Sequence, residues 1–191
     1  MPSIVRFILN SNRKEELQMI YSKYVIKPFF ILLSVLTITA LTGCGTVQHR
    51  VTFQDNYLPQ AQTKIEVGSV TNETGATFDI NIEQMLTDAL AEELRKEAML
   101  WDGGNNPKLV LNSKIVEYVK GNAFKRWLLP GWGSTVLIIQ CDLRDGNKVV
   151  GSVEAKRTIS IGGAYTINAW KTIFSSVAKD VVKDLRSQIS K

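Results

Sequence analysis

The chain has 191 residues, with 23 lysines and arginines, 18 aspartates and glutamates, and a single histidine. This length fits one domain plus a short additional segment, and a hydrophobic content of 45% excludes a chain that is disordered throughout. One histidine and two cysteines exclude His-rich metal sites, zinc ribbons and disulfide scaffolds. We therefore expect a small globular domain preceded by a targeting segment.

Residues 1–43 have the features of a secretory signal peptide. An uncharged apolar run at 29–40 follows Lys23 and Lys27, and small residues come after it. The run has 12 residues, too few to cross a bilayer, which takes about 20. A basic segment, a short apolar segment and a small-residue exit are typical of a cleaved signal. Starting at Met19 gives a signal peptide of more usual length, so we expect translation to begin there.

The signal ends in Leu41-Thr42-Gly43-Cys44, which resembles the lipobox of bacterial lipoproteins. The resemblance implies cleavage before Cys44, a diacylglyceryl thioether on its thiol, and a further acyl chain such as palmitate on the new amino group. Two or three acyl chains hold a protein stably on a membrane. Gly45 follows the cysteine, and the lack of an aspartate there implies sorting to the outer membrane, facing the periplasm. The alternative is an ordinary buried cysteine at the end of an apolar helix.

Residues 44–62 are predicted to form a lipidated tether, and residues 63–191 an α+β periplasmic domain. The tether has little hydrophobic periodicity and contains Pro59. His49 lies in it, where we expect no fixed partner. Five basic and two acidic residues belong to the signal peptide, so 18 basic and 16 acidic residues remain. This near-neutral balance removes the main argument for nucleic-acid binding.

The periodicity of the domain predicts four strands and two amphipathic helices. Asn81 is a candidate N-cap for the first helix, and Asp145-Gly146-Asn147 predicts a hairpin turn. The predicted elements are strand 64–70, helix 82–98, strands 109–119, 135–143 and 148–161, and a final helix with an apolar stripe from Ile167 to Ile189. This β-α-β-β-β-α order predicts a two-layer α+β sandwich, in which a four-stranded mixed sheet carries two helices on one face.

The cysteine and the carboxylates of the predicted strands and helices are explained by core packing or by exposure to solvent, and none of them indicates catalysis. Cys141 alternates with apolar residues that we expect to face the core, so it is predicted to pack there and not to act as a nucleophile. Val149 and Val153 are predicted to point inward from the last strand. Asp180 and Asp184 share a helix face with lysines, which is typical of a solvated surface. We expect no catalytic, metal-binding or cofactor-binding residues and no cofactor.

The segment 121–133, which we call the aromatic loop, joins two predicted strands and is unusually apolar. Connecting loops normally run over the surface and are polar. Its large apolar residues are the candidate partner contacts Phe124, Trp127, Leu128, Leu129 and Trp132. The loop could fold back on its own domain, contact a protein partner, or contact a membrane surface. Lys125 and Arg126 beside tryptophans suit lipid headgroups, but of the two external contacts we favour a protein.

The domain also resembles a known family. The patterns that carry the resemblance are the Gly131-x-Gly133 end of the loop, the strand end Asp142-Leu143-Arg144-Asp145-Gly146, and Gly162-Gly163 before the C-terminal helix. These patterns resemble domain-of-unknown-function family 4410, a group of bacterial envelope lipoproteins, over residues 60–190. The element order is also similar to periplasmic domains of TolB and of curli-secretion and penicillin-binding-protein-activator lipoproteins. These similarities imply binding to other envelope proteins rather than catalysis.

We therefore expect a lipid-anchored, periplasm-facing lipoprotein that is a non-catalytic binding or assembly module for another envelope protein. Its expected partners are the membrane, through lipidated Cys44, and an envelope protein. The alternative is a self-associating structural subunit of a membrane-associated envelope complex, and an enzyme acting in the envelope is a third hypothesis. An enzyme would need a cleft with a strongly shifted carboxylate, which a sequence does not reveal.

Overall fold

The computed structural model describes residues 47–54, 57–60, 62–129, 131–161 and 166–189. Cys44, the predicted signal peptide and Gly162-Gly163 lie outside these residues. Within the described ranges the chain forms five strands and three helices. In chain order they are β1 (Val47–Phe53), β2 (Lys64–Asn72), α1 (Ile82–Lys96), β3 (Lys108–Val119), α2 (Ala123–Leu128), β4 (Thr135–Asp145), β5 (Lys148–Ile159) and α3 (Ala169–Ile189).

The strands form one mixed sheet in the order β1-β5-β4-β3-β2. β2 and β3 are parallel, as the crossover through α1 requires, and the other neighbouring pairs are antiparallel. Helices α1 and α3 contact each other and pack on the same face of this sheet. The predicted α+β class and the placement of the two long helices are therefore confirmed.

The predicted strand number and element order are corrected by the structure. β1 lies inside the predicted tether and pairs antiparallel with β5, so that Val47 is opposite Arg157 and Phe53 is opposite Gly151. Val51 and Phe53 pack against the core from this strand. Residues 44–62 are therefore not all linker, because seven of them extend the sheet. The short helix α2 is a further element that the predicted order lacked.

Each long helix buries one apolar stripe. Asn81 is the N-cap of α1, since its Oδ1 accepts a hydrogen bond from the backbone N of Gln84 at 2.8 Å. The buried residues of α1 are Ile82, Leu86, Ala89, Leu90 and Leu94. Those of α3 are Ala169, Ile173, Phe174, Val177, Ala178, Val181, Val182 and Leu185. Ile167, which was predicted to begin the α3 stripe, precedes the helix and is 62% exposed.

The face of the sheet opposite α1 and α3 is polar. Register places Arg50, Glu154, Gln140 and Lys114 side by side across β1, β5, β4 and β3. All four side chains are exposed. We call this surface the open face. No helix among the described residues is long and apolar enough to span a bilayer.

Candidate functional site

The aromatic loop connects the end of β3 to the start of β4 and contains its own helix, α2. The Asn122 side chain caps this helix, because its Oδ1 accepts a hydrogen bond from the backbone N of Lys125 at 3.0 Å. The helix ends where the backbone N of Leu129 donates to the Lys125 carbonyl at 3.0 Å. Six residues in α2 are few for a stable isolated helix, so tertiary contacts must hold it.

Arg126 supplies those contacts from inside the domain. Its side chain is 2% exposed. Nη1 donates to the Gly133 carbonyl at 2.8 Å and to Thr135 Oγ1 at 2.9 Å, while Nη2 donates to the Thr166 carbonyl at 2.8 Å. Burial lowers the pKa of Arg126 below its ordinary value. One guanidinium therefore joins the loop helix, the start of β4 and the segment before α3.

Glycines allow the two ends of the aromatic loop to close tightly. Gly121 and Gly133 have φ angles of +68° and +73°. The backbone N of Asn122 donates to the Gly133 carbonyl at 2.8 Å. A Cβ atom at Gly121 would lie 2.6 Å from both the Ser134 carbonyl oxygen and Thr135 Oγ1. Position 121 thus needs glycine for its backbone conformation and for space.

This scaffold presents large apolar side chains to solvent. Exposed fractions lie between 50% and 67% for Phe124, Trp127, Leu128, Leu129 and Trp132. Phe124 and Trp127 stack on each other with ring centroids 6.1 Å apart, and Lys125 Nζ lies 5.3 Å from the ring centroid of Trp132. The loop does not bury these side chains against its own domain. Their role as contacts with another molecule stays a prediction.

The structure separates the two cations that the sequence placed beside the tryptophans. Lys125 is exposed, as an interfacial cation would be. Arg126 is buried and bonded to backbone carbonyls, so it is not available to lipid headgroups or to a partner. The expectation for Arg126 was wrong because spacing shows which residues are adjacent but not which way each side chain points.

The exposed apolar surface continues beyond the aromatic loop. Ile167 is exposed and follows Thr166, whose carbonyl Arg126 binds. Val119, at the end of β3, is 41% exposed. Lys120 directly follows Val119 and is exposed, and its Nζ pairs with a carboxylate oxygen of Asp79 at 2.9 Å. This end of the sheet, which we call the aromatic end, therefore combines apolar side chains with lysines.

The structure also shows the surroundings of Cys141 and His49, two other residues that we considered in the sequence. Cys141 is buried in the core, and burial raises the pKa of its thiol to about 12, as its predicted packing role requires. His49 was expected to lack a fixed partner, and that expectation was wrong: its Nδ1 contacts the Asp184 carboxylate and so links β1 to α3. Among the described residues, no group of three or more histidines, cysteines and carboxylates could hold a metal ion.

The sequence model of the family "Domain of unknown function (DUF4410)" matches residues 57–163, more than half of the chain. The chain belongs to the DUF4410 family. The resemblance identified from the glycine and strand patterns is thus confirmed. The matched region includes the whole aromatic loop together with β2 to β5 and α1.

Solved structures of PelC dodecamers from Paraburkholderia phytofirmans share the fold of this DUF4410 chain. A point variant of PelC is 20% identical with a TM-score of 0.52, and the match covers 76% of this chain and 100% of that chain. A second PelC dodecamer is 18% identical with a TM-score of 0.51, covering 73% and 97% of the two chains. At these identities the similarity concerns the fold alone. No curated protein sequence matches the chain.

Proposed function

We propose that this DUF4410 protein is a lipid-anchored, periplasm-facing lipoprotein of the outer membrane, and that it is a non-catalytic binding or assembly module for another envelope protein. The observation that carries the proposal is the aromatic loop. Its apolar side chains stay exposed although a buried arginine and two glycines fix its backbone. An ordered, exposed apolar surface of this kind is typical of a contact site.

The anchor in this proposal is Cys44. It directly follows the lipobox-like Leu41-Thr42-Gly43 and precedes β1 by only three residues. Such a short connection would keep the domain close to the membrane surface that holds the acyl chains. An assembly module gains from this, because confinement near a membrane raises its effective concentration for partners in the same membrane.

Two further surfaces are available to an envelope protein. The open face presents a mixed row of charges, with Arg50, Glu154 and Lys114 on neighbouring strands. β1 lies at one edge of the described sheet, and an edge strand offers backbone groups for pairing with an added strand. Charges arranged on a face favour specific docking and suppress wrong partners.

A second candidate function is self-association as a structural subunit of an envelope complex. The observation that favours it is that the PelC structures with this fold are dodecamers. Because a shared fold at 20% identity does not transfer an assembly, we place this function second.

In-cell photo-crosslinking tests the proposal. The probe replaces Trp127 on the aromatic loop in one variant and Gln140 on the open face in another, and the control variant carries it at Glu92 on the exposed side of α1. A discrete adduct with another envelope protein from 127 or 140, and not from 92, supports a binding module. An adduct with a second copy of the chain supports the structural subunit. Absence of protein adducts from 127, from 140 and from a third probe at the exposed Gln48 on the β1 edge, in a folded chain, would overturn both.

The anchor has its own test. Mass spectrometry of the mature protein is expected to show an acylated N-terminal Cys44. The Cys44→Ser variant is expected to carry no acyl chain and to keep its signal peptide, because cleavage in the lipoproteins that the chain resembles acts on the modified cysteine. An unmodified Cys44 in the parent, or a Cys44→Ser variant that is cleaved and acylated like the parent, would contradict the lipoprotein assignment.

A further inference from the structure

Strand register places the first residue of β1 at the aromatic end of the sheet. Val47 is opposite Arg157, near the end of β5. The last residue of β5, Ile159, is opposite Thr135, which begins β4. β3 also ends there, since its last residue pairs with the second residue of β4. The start of β1 and both attachment points of the aromatic loop therefore lie at the same end.

This register limits how far Cys44 can be from the aromatic loop. Two residues, Gly45 and Thr46, separate Cys44 from Val47, and each of the three residue steps spans at most about 3.6 Å, so the two Cα atoms lie within about 11 Å. β1 and β4 are two strand spacings apart in the sheet, which is about 10 Å. An acyl anchor at Cys44 would thus hold a bilayer surface close to the aromatic end and away from the opposite end.

We propose that the aromatic loop, together with Ile167, contacts the phospholipid surface that holds acylated Cys44. The domain then rests on the membrane through its aromatic end. This inference rests on the proposed function for the acylation of Cys44, and it names the bilayer, not a protein, as the occupant of the loop. The envelope protein of the proposed function then docks on the open face or the β1 edge.

The composition of the aromatic loop suits the boundary between headgroups and acyl chains. Trp127 and Trp132 have amphipathic rings of the kind enriched at membrane interfaces. Lys125 is exposed beside them, and the segment 121–133 contains no acidic residue. A lysine near an anionic membrane surface contributes about 1 kcal/mol. Charge and polarity therefore match a bilayer that contains anionic phospholipid.

The contact between the aromatic loop and the bilayer has a role that the acyl chains do not fill. Two or three chains already give stable attachment, so the aromatic loop is not needed to keep the protein on the membrane. An anchor joined by a short chain segment holds the domain at one point and leaves its orientation free. A loop that enters the interface a few strand widths away adds a second point, which fixes which surface faces the periplasm.

The opposite end of the sheet provides a matched control. Trp101 lies there, because its backbone N donates to the Ile65 carbonyl at 2.9 Å and Ile65 is opposite Leu109 at the start of β3. If the aromatic end faces the bilayer, Trp101 must point away from it. The chain thus carries tryptophans at both ends of one sheet.

Fluorescence quenching by brominated phospholipids tests the inference. The full chain, produced with its signal peptide and shown by mass spectrometry to be acylated, is reconstituted into phosphatidylethanolamine and phosphatidylglycerol vesicles with brominated acyl chains. The parent, a Trp127→Phe/Trp132→Phe variant and a Trp101→Phe variant are compared, and all three also carry Trp170→Phe, because the Trp170 ring lies 5.2 Å from Lys120 Nζ at the aromatic end. The substituted side chains of the loop variant are exposed, so it is expected to fold.

We expect strong quenching in the parent, at least as large a quenched fraction in Trp101→Phe, and at least about a twofold smaller fraction in the loop variant. Equal quenching of the parent and the loop variant, or an anchored parent without quenching, would overturn the inference. A protein adduct without lipid adducts from position 127 in cells would also overturn it. An unmodified Cys44 instead contradicts the proposed function, and mass spectrometry detects that outcome before the vesicle experiment begins.

Discussion

Two connections in this domain join antiparallel neighbours at opposite ends of one sheet, and they differ in almost every respect. Between β4 and β5, Asp145 is opposite Lys148, so Gly146 and Asn147 alone make the turn. This hairpin is polar and exposed. Between β3 and β4, the aromatic loop contains a helix, a buried arginine and a group of exposed apolar side chains.

The difference in construction bears on the roles that we propose for the two connections. Two residues are enough to close an antiparallel pair, as the β4–β5 hairpin shows. The additional residues of the aromatic loop are therefore not required by the sheet. They are nevertheless ordered by hydrogen bonds that involve Arg126 and Asn122. We interpret the hairpin end as a solvent-facing end and the aromatic end as a contact-forming end.

Among substitutions in the two connections, the largest expected effect follows from replacing the buried arginine. Arg126→Met removes the hydrogen bonds that the guanidinium donates to the Gly133 carbonyl, Thr135 Oγ1 and the Thr166 carbonyl, and we expect the free energy of unfolding to fall by about 3 kcal/mol. Lys148→Met at the exposed hairpin is the control, with an expected change within about 0.5 kcal/mol. Urea denaturation measures both. Equal effects would remove the distinction between the two connections.

A pair of glycine substitutions sharpens the same comparison. Gly121 and Gly146 both have positive φ angles, +68° and +55°. Gly146→Ala meets no atom within 4 Å and is expected to cost only about 1 kcal/mol of backbone strain. Gly121→Ala also meets the Ser134 carbonyl oxygen at 2.6 Å, so we expect a loss of about 2 kcal/mol or more. Thermal or urea unfolding of both variants decides whether the extra contact matters.

A tyrosine hydroxyl lies near each end of the sheet, and the two should respond differently to removal. Tyr118 is buried and donates to the Trp170 carbonyl at 3.0 Å, so Tyr118→Phe is expected to cost about 1 kcal/mol. Tyr57 donates to Asp145 Oδ2 at 3.2 Å in a more exposed place, so Tyr57→Phe should change stability by less than about 0.5 kcal/mol. Similar losses from both variants would argue against a difference in burial.

The same tyrosines give the domain a predicted pH dependence. Burial raises the pKa of Tyr57 and Tyr118 to about 12 in the folded chain. Because the folded state favours the protonated phenol, this stabilisation is complete below the unfolded pKa of about 10 and is lost as pH rises toward 12. Unfolding measured at pH 9 and pH 11 is expected to show a decline that Tyr118→Phe reduces.

The smallest expected effect concerns the exposed rings themselves. Phe124→Ser combined with Trp127→Ser should change the free energy of unfolding by less than about 0.5 kcal/mol, because both side chains face solvent. Phe174→Ala in α3 is the comparison, with an expected loss of about 3–5 kcal/mol because its ring is buried. Destabilisation of several kcal/mol by the loop substitutions would mean that the rings pack on their own domain.

Much of the fold was predictable because its patterns are local. The apolar stripes of α1 and α3, the Asn81 cap and the Asp145-Gly146-Asn147 turn depend on residues within a few positions of each other. Burial of Cys141 followed from strand alternation in the same way. Such signals remain readable when nothing is known about distant parts of the chain.

The features that sequence reasoning missed depend on distant partners. β1 was hidden because His49 interrupts an alternation of Val47, Val51 and Phe53, and its partner, the Asp184 carboxylate on α3, lies far away in sequence. The available signal was that these apolar residues lie at even spacings, four positions from Val47 to Val51 and two from Val51 to Phe53. In β5, Val150 is buried where Val149 was predicted, because the register shifts between Leu143 and Arg144 and reverses the alternation.

The aromatic loop was predictable in composition but not in construction. Its apolar residues were recognisable in the sequence, whereas the buried position of Arg126 depends on the Thr166 carbonyl, which lies far away in sequence. A cation beside tryptophans suggests an interface, and for Lys125 the exposure fits that prediction. Arg126 is instead buried, and its hydrogen bonds to backbone carbonyls stabilise the loop from inside the domain.

The pairing of β1 with β5 has a consequence for folding order. These strands are the first and the last of the described sheet in chain order, yet Val47 is opposite Arg157. A chain that leaves a translocation pore from its N-terminus cannot form this ladder until nearly the whole domain has emerged. Such distant pairing is slow, because chain closure must precede the contacts that reward it. β1, the strand nearest to the predicted anchor, would therefore be the last strand to pair with the sheet. Until it pairs, the edge of β5 is exposed and other chains can bind to it.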